Sequence, residues 1–214
     1  MKIEVKMEFK VSKAAKFEIP DEILMEFHAT RFCADFEPNS NRCAGKIENL
    51  PPTLFSVNLN KAIEWLHGNE IPKPLEKEIC NTPVLLFVPE FSTEHLLFHY
   101  DGSLQSANLI RKFLVSFGDI IKDSKATIIS PSFIPKSKQK EEQELINQVS
   151  QATAETSFIK FNFLRIGDFW SYAIKHDCSL LVTTKNYQSD LAKVLFHFYK
   201  GAMWSNRLSF YLAL

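Results

Sequence analysis

Apolar positions along this chain fall into short continuous runs separated by amphipathic stretches, and the clearest case is HLLFHYDGSLQSANLIRKFL, residues 95–114. Leu96, Leu97 and Phe98 form an unbroken apolar run, as expected of a strand covered on both faces. Asp101-Gly102 follows as a tight turn, where glycine lets the backbone reverse sharply. Ser103 is a good N-cap, and Leu104, Ala107, Ile110, Leu114 and Phe117 recur at helical spacing, so the pattern predicts a helix over 103–122. A strand-end Asp beside a helix N-terminus is where open α/β sheets place ligands.

The same alternation continues downstream. The pattern predicts a strand in ATIISPSF with a loop at Pro131 and Pro135, a helix in KEEQELINQVSQATA, and a strand in SFIKFNFL. A short helix over 166–176 follows, then a buried strand in SLLVTT, a helix over about 189–206 and a closing strand in LSFYLAL. Upstream, Ile3, Val5, Met7, Phe9 and Val11 alternate with polar residues as in a half-buried strand. Pro20-Asp21-Glu22 reads as a helix start with Ile23, Leu24 and Phe27 on its apolar face. Residues 29–37 read as a short strand and 38–45 as turns. TLFSVNL is a strand candidate, residues 60–80 a helix broken near Gly68, and PVLLFV (83–88) a buried strand. Alternating strands and helices define the expected class: α/β, an open parallel sheet with helices on both faces.

Composition narrows the functional classes. The 214 residues carry 25 Lys plus Arg against 25 Asp plus Glu, and a net charge of zero argues against binding nucleic acid through its phosphates. Nineteen Phe suggest Phe-rich packing layers rather than aromatic ligand stacking. The opening MKIEVKMEFK has no leader-like apolar core, and no apolar run approaches the ~20 residues of a membrane span. Cys33, Cys43, Cys80 and Cys178 show no C-x-x-C spacing. The expectation is a reduced, cytoplasmic protein with no membrane partner. Zinc on Cys33, Cys43 and His28 is conceivable but has no spacing to support it.

Three stretches carry a family likeness. The strand followed by Y-D-G-S and a helix resembles the opening of a universal stress protein domain. NTPVLLFVPE (81–90) is similar to the last strand of such a domain, and residues 180–214 resemble its last strand–helix–strand unit. The resemblance implies strand order 3-2-1-4-5 and a tandem of two units: residues 92–214 complete, residues 1–91 truncated. Aligning Leu54 with Leu180 places Val84-Leu85-Leu86 on Phe210-Tyr211-Leu212. Carried backwards, the same offset puts a strand at 1–7, a helix at 15–27 and a strand at 31–38, with no partner for Asp101. The unrelated alternative is an N-terminal extension. If the halves are related, two sheets are expected, with a pseudo-two-fold axis between them.

ATP-binding members of that family carry G-x-x-G and a later G-[ST] after the fourth strand, where backbone amides wrap the phosphates. Here TTKNYQSDLAKVLFHFYKGAMW has Gly201 alone, so the resemblance implies a cradle that is absent or rebuilt. Asp101 matches the family position that meets the nucleoside; its other reading is a turn residue capping the helix. The ligand-binding candidates are therefore Asp101, Gly102, Ser103, Thr183 and Thr184, with Lys185 and Asn186 beside them at the strand end. His95, His99 and His197 lack partners at metal spacing. Ser103 and Ser130 lack a G-x-S-x-G elbow, and Lys136, Lys138 and Lys140 read as a solvated loop. No acid/base pair can be assigned, so the expectation is a non-enzymatic protein without cofactor, acting by binding and self-association; the alternative is an ATP- or AMP-binding module using Asp101. The strands at Pro83–Val88 and Ser209–Leu214 are both apolar and unguarded by charge, so they are expected to pair within one molecule as a pseudo-dimer, with a homodimer as a further step.

Overall fold

The computed structural model describes residues 16–33, 36–39, 51–198 and 207–214. Eight strands form one open sheet: β1 (Leu24–Phe27), β2 (Leu54–Asn58), β3 (Val84–Phe87), β4 (His95–His99), β5 (Lys125–Ser130), β6 (Glu155–Lys160), β7 (Leu180–Thr184) and β8 (Ser209–Ala213). Five helices connect them among the described residues: α1 (Leu59–His67), α2 (Leu104–Phe117), α3 (Lys136–Ala152), α4 (Ile166–Lys175) and α5 (Gln188–Phe198). The order across the sheet is β1-β2-β3-β8-β7-β4-β5-β6. The sheet is mostly parallel, with antiparallel pairs only at β1–β2 and β3–β8.

The helices divide between the faces as the strand alternation demands. On β8, Phe210 and Leu212 face one core with Ala62, Ile63 and Leu66 of α1, Phe169 and Ala173 of α4, and Leu191 and Leu195 of α5. Tyr211 and Ala213 face the other core, with Ile110, Phe113 and Phe117 of α2 and Leu145 and Val149 of α3. Both cores draw residues from before and after position 91. The second carries the phenylalanine layer expected from composition: Phe113 stacks on Phe117 at 4.6 Å, and Phe32 lies 4.7 Å from Phe117.

Local chemistry sets the helix ends. The Asn58 side chain accepts from the N–H groups of Asn60 (3.0 Å) and Lys61 (3.4 Å), so α1 starts directly off β2. Gly68 ends it. The Ser103 hydroxyl accepts from the Ser106 N–H at 3.1 Å and caps α2. That helix stops at Phe117, short of the expected residue 122, where Gly118 follows.

The structure departs from the sequence pattern mainly in the first fifty residues. The expected helix after Pro20 is a single 3-10 turn at Asp21–Ile23 followed by β1, antiparallel to β2 with Leu24 opposite Val57. Leu24 and Phe27 do not share a helix face; they enter opposite cores, because the sheet is covered on both sides. Residues 29–33 form no strand. Phe32 instead plugs the α2 side, with its N–H on the Ser116 carbonyl at 2.8 Å. The expected strand over 2–11 and the later part of the helix over 189–206 fall outside the described residues. Lys136, Lys138 and Lys140 lie in the first turns of α3 rather than in a loop.

The expectation is two sheets joined through their last strands, and that joint makes them one continuous sheet. At the joint, Val84, Leu85 and Leu86 of β3 lie opposite Leu212, Tyr211 and Phe210 of β8, antiparallel. On either side sits a parallel β–α–β unit, β2-α1-β3 and β7-α5-β8. Leu54 and Leu180, aligned in the sequence, both open their units. Beyond these units the correspondence stops: β1 is antiparallel and lies where the backward offset required part of a helix. The eight-strand order therefore differs from a bare 3-2-1-4-5 sheet, because three strands extend it past β8. Counted from β4, the last five strands lie third, second, first, fourth, fifth, all parallel.

Candidate functional site

The site is the crevice where β4 and β7 run side by side. Chain leaves β4 through α2 on one face and β7 through α5 on the other, so the carboxyl edge of this pair is the switch point at which open α/β sheets usually carry a ligand. All five candidate residues lie on the two strand ends flanking it. Asp101, Gly102 and Ser103 follow β4; Thr183 and Thr184 end β7.

Asp101 is exposed, but its Oδ1 is committed locally. It accepts from the Ser103 N–H at 2.8 Å and from the Ser106 hydroxyl at 2.5 Å. Burial alone would raise its pKa; the hydrogen bonds from Ser103 and Ser106 outweigh that and hold the carboxyl below its ordinary value. Asp101 is thus a turn residue that holds Ser103, and Ser103 is the residue that caps α2. Gly102 has φ of +82°, which favours glycine, and its backbone lies against Ile134.

Thr183 is fully buried and its hydroxyl pairs with His99 Nδ1 at 2.9 Å, tying β7 to β4. The His99 ring lies 4.3 Å from Phe169 and 5.3 Å from Tyr187. Burial drops its pKa to about 4, against a smaller opposing pull from Asp101, so the imidazole is neutral at pH 7. Thr184 caps the following 3-10 turn by accepting from the Asn186 N–H at 3.3 Å. Tyr100 packs in the opposite core, its hydroxyl buried without a hydrogen-bond partner.

The residue that decides what this edge can hold is Lys185, fully buried at 0% exposure. Its ammonium donates to Glu76 Oε1 (2.7 Å) and to the carbonyls of Cys80 (2.9 Å) and Thr82 (2.7 Å). Glu76 is also buried; its Oε1 accepts from the Cys80 thiol at 3.0 Å. Three donors meet three acceptors, so the ammonium has no proton left for an incoming anion. From local sequence Lys185 could hold an anion, with a solvated strand end the favoured reading; its complete burial overturns that reading, and nothing local pairs it with Glu76 or Cys80. Within LEKEIC, Glu76 reads as one of several solvated charges, and its partner is 109 residues away.

A second polar cluster lies at the ends of β5 and β6. The Ser130 hydroxyl donates to Glu142 Oε1 at 2.6 Å, and Lys160 donates to the same oxygen at 2.5 Å. Ser130 is fully buried and already bonded, so it is not an available nucleophile. His95 contacts Thr127 Oγ1 at 3.4 Å. Among the described residues no group of three His, Cys, Asp or Glu side chains could hold a metal, and Cys43 of the suggested zinc set lies outside them. No helix among them is long and apolar enough to cross a membrane. These features define an α/β protein with a Rossmann-like open sheet whose switch-point edge carries a buried, saturated lysine. Neither a family model, a curated protein nor a solved structure matches the chain.

Proposed function

We propose that this chain is a universal-stress-like protein that acts by binding and self-association, without catalysis. The observation that carries the reading is the neutralised Lys185. The cation best placed to meet a phosphate after β7 is saturated by Glu76 and two carbonyls. With no glycine cradle to supply backbone amides, little remains to hold a triphosphate. The antiparallel β3–β8 joint, flanked by two β–α–β units, supports reading residues 1–91 and 92–214 as the halves of an intramolecular pseudo-dimer. A homodimer would then form through other surfaces.

One observation favours a second reading, an ATP- or AMP-binding module. Asp101 is exposed at the crevice with its carboxyl held ionised, a suitable acceptor for a nucleoside hydroxyl. Mass spectrometry of natively purified protein, followed by calorimetric titration, separates the two. The first reading expects an empty protein and ATP binding weaker than micromolar. Co-purified nucleotide, with micromolar affinity lost in Asp101→Ala, would establish the second in its place.

A further inference from the structure

Glu76, Cys80 and Lys185 form a close group of reactive side chains. Cys80 Sγ lies 3.0 Å from Glu76 Oε1 and 3.5 Å from Lys185 Nζ, and Lys185 Nζ lies 2.7 Å from Glu76. A thiol, a carboxylate and an amine at these distances suit acyl transfer in principle. Burial argues against it here: Glu76 and Lys185 are 2% and 0% exposed, leaving no space for a substrate carbonyl between them. Cys80 is only partly buried, unlike Glu76 and Lys185, so it is the member of the group nearest to solvent, with the amine on its inner side.

We propose that Cys80 and Lys185 are a redox modification site, at which a hydroperoxide produces a sulfur–nitrogen crosslink between the two residues. In the first step the sulfur attacks the near peroxide oxygen as the thiol proton is lost and the O–O bond breaks. The products are Cys80 sulfenic acid and an alcohol, or water when the oxidant is hydrogen peroxide. Burial, reinforced by the hydrogen bond to Glu76, holds Cys80 as a thiol at rest, so this attack needs a base. The Glu76 carboxylate, which already accepts from that thiol, receives the proton and relays it to the departing oxygen.

In the second step Lys185 gives a proton to Glu76, and its freed lone pair attacks the sulfenic sulfur. The S–O bond breaks, and water leaves with the second amine proton. An S–N bond remains, and Glu76 ends as the neutral acid. Sulfenic acids condense in this way with a backbone nitrogen, and a freed lysine amine is the better nucleophile. Cys80 lies in the segment between α1 and β3, and Lys185 directly follows β7, so the crosslink ties the two sides of the β3–β8 joint covalently. A thiol reductant cleaves it.

The test uses the full-length protein treated with hydrogen peroxide, quenched, digested without reductant and mapped by mass spectrometry. The expected result is a joined peptide pair containing Cys80 and Lys185, at the summed mass less two hydrogens, released by dithiothreitol. Closing so long a loop also shifts Tm upward, reversibly. Cys80→Ser, which keeps a hydrogen donor toward Glu76, abolishes the pair and the shift. Recovery of the Cys80 peptide carrying added oxygen but unlinked, or unmodified while other thiols oxidise, overturns the proposal. Neither result depends on whether nucleotide binds.

Discussion

Two of the lysine–glutamate pairs at strand ends, Lys185–Glu76 and Lys160–Glu142, differ in almost everything except geometry. Lys185–Glu76 is 0% and 2% exposed, joins residues far apart in sequence and carries two backbone carbonyls with it. Lys160–Glu142 is 35% and 11% exposed, lies within the second half and shares its oxygen with Ser130. Their N–O distances, 2.7 and 2.5 Å, would rank the second as the stronger bond. Solvent reverses that order. A half-exposed lysine that loses its partner is rehydrated, whereas a buried one has nowhere to go. Burial, rather than bond length, decides which pair the fold depends on.

Glu76→Gln gives the largest expected effect. It leaves the Lys185 charge buried without a counter-charge, at a cost of about 3–5 kcal/mol. Urea unfolding should lose that much, and an effect under roughly 1 kcal/mol would mean that water reaches the ammonium. Lys185→Met with Glu76→Leu removes both charges, yet it also strips the Cys80 and Thr82 carbonyls of their donor. The double variant should therefore recover only part of the loss, in contrast to buried pairs whose removal is neutral.

His99 sharpens the contrast from another side, because it is buried without any pairing carboxylate. Its pKa falls from the ordinary 6.5 to about 4 in the folded protein. The folded state binds fewer protons than the unfolded one between those values, so stability is full above pH 6.5 and declines as pH falls toward 4. The drop amounts to about 3 kcal/mol at most. In His99→Gln that slope should be missing from a series of unfolding curves across this window. A wild-type stability flat over the same range would show that the imidazole is hydrated in the fold.

Legibility follows the same division between local and distant causes. β4, α2 and β7 were readable because each carries its signal within itself: an apolar run for the strands, and Ser103 with a helical repeat for α2. The β3–β8 pairing was readable because both strands are apolar and uncharged. β1 was misread because Leu24 and Phe27, three apart, suit one helix face and also opposite faces of a doubly covered sheet. Of the site, Asp101 and Thr183 could be found from their place at strand ends. Glu76 could not, since nothing near it in sequence distinguishes a carboxylate bound for the interior from its neighbours Lys77 and Glu78 in solvent.

Glu142→Gln gives the smallest expected effect and tests the comparison most directly. The substitution keeps an oxygen that accepts from Ser130 or Lys160, so no buried hydroxyl has to lose its partner. Lys160 loses its counter-charge, but its side chain is a third exposed and can swing its ammonium into water. What remains is the difference between a charged and a neutral acceptor in a partly screened site, roughly 1 kcal/mol. Added salt should shrink it further, since screening acts on exposed charges and hardly on Glu76. Urea unfolding of both single variants at low and high salt reads this out. If Glu142→Gln costs as much as Glu76→Gln, and salt leaves both unchanged, exposure is not what separates the two pairs.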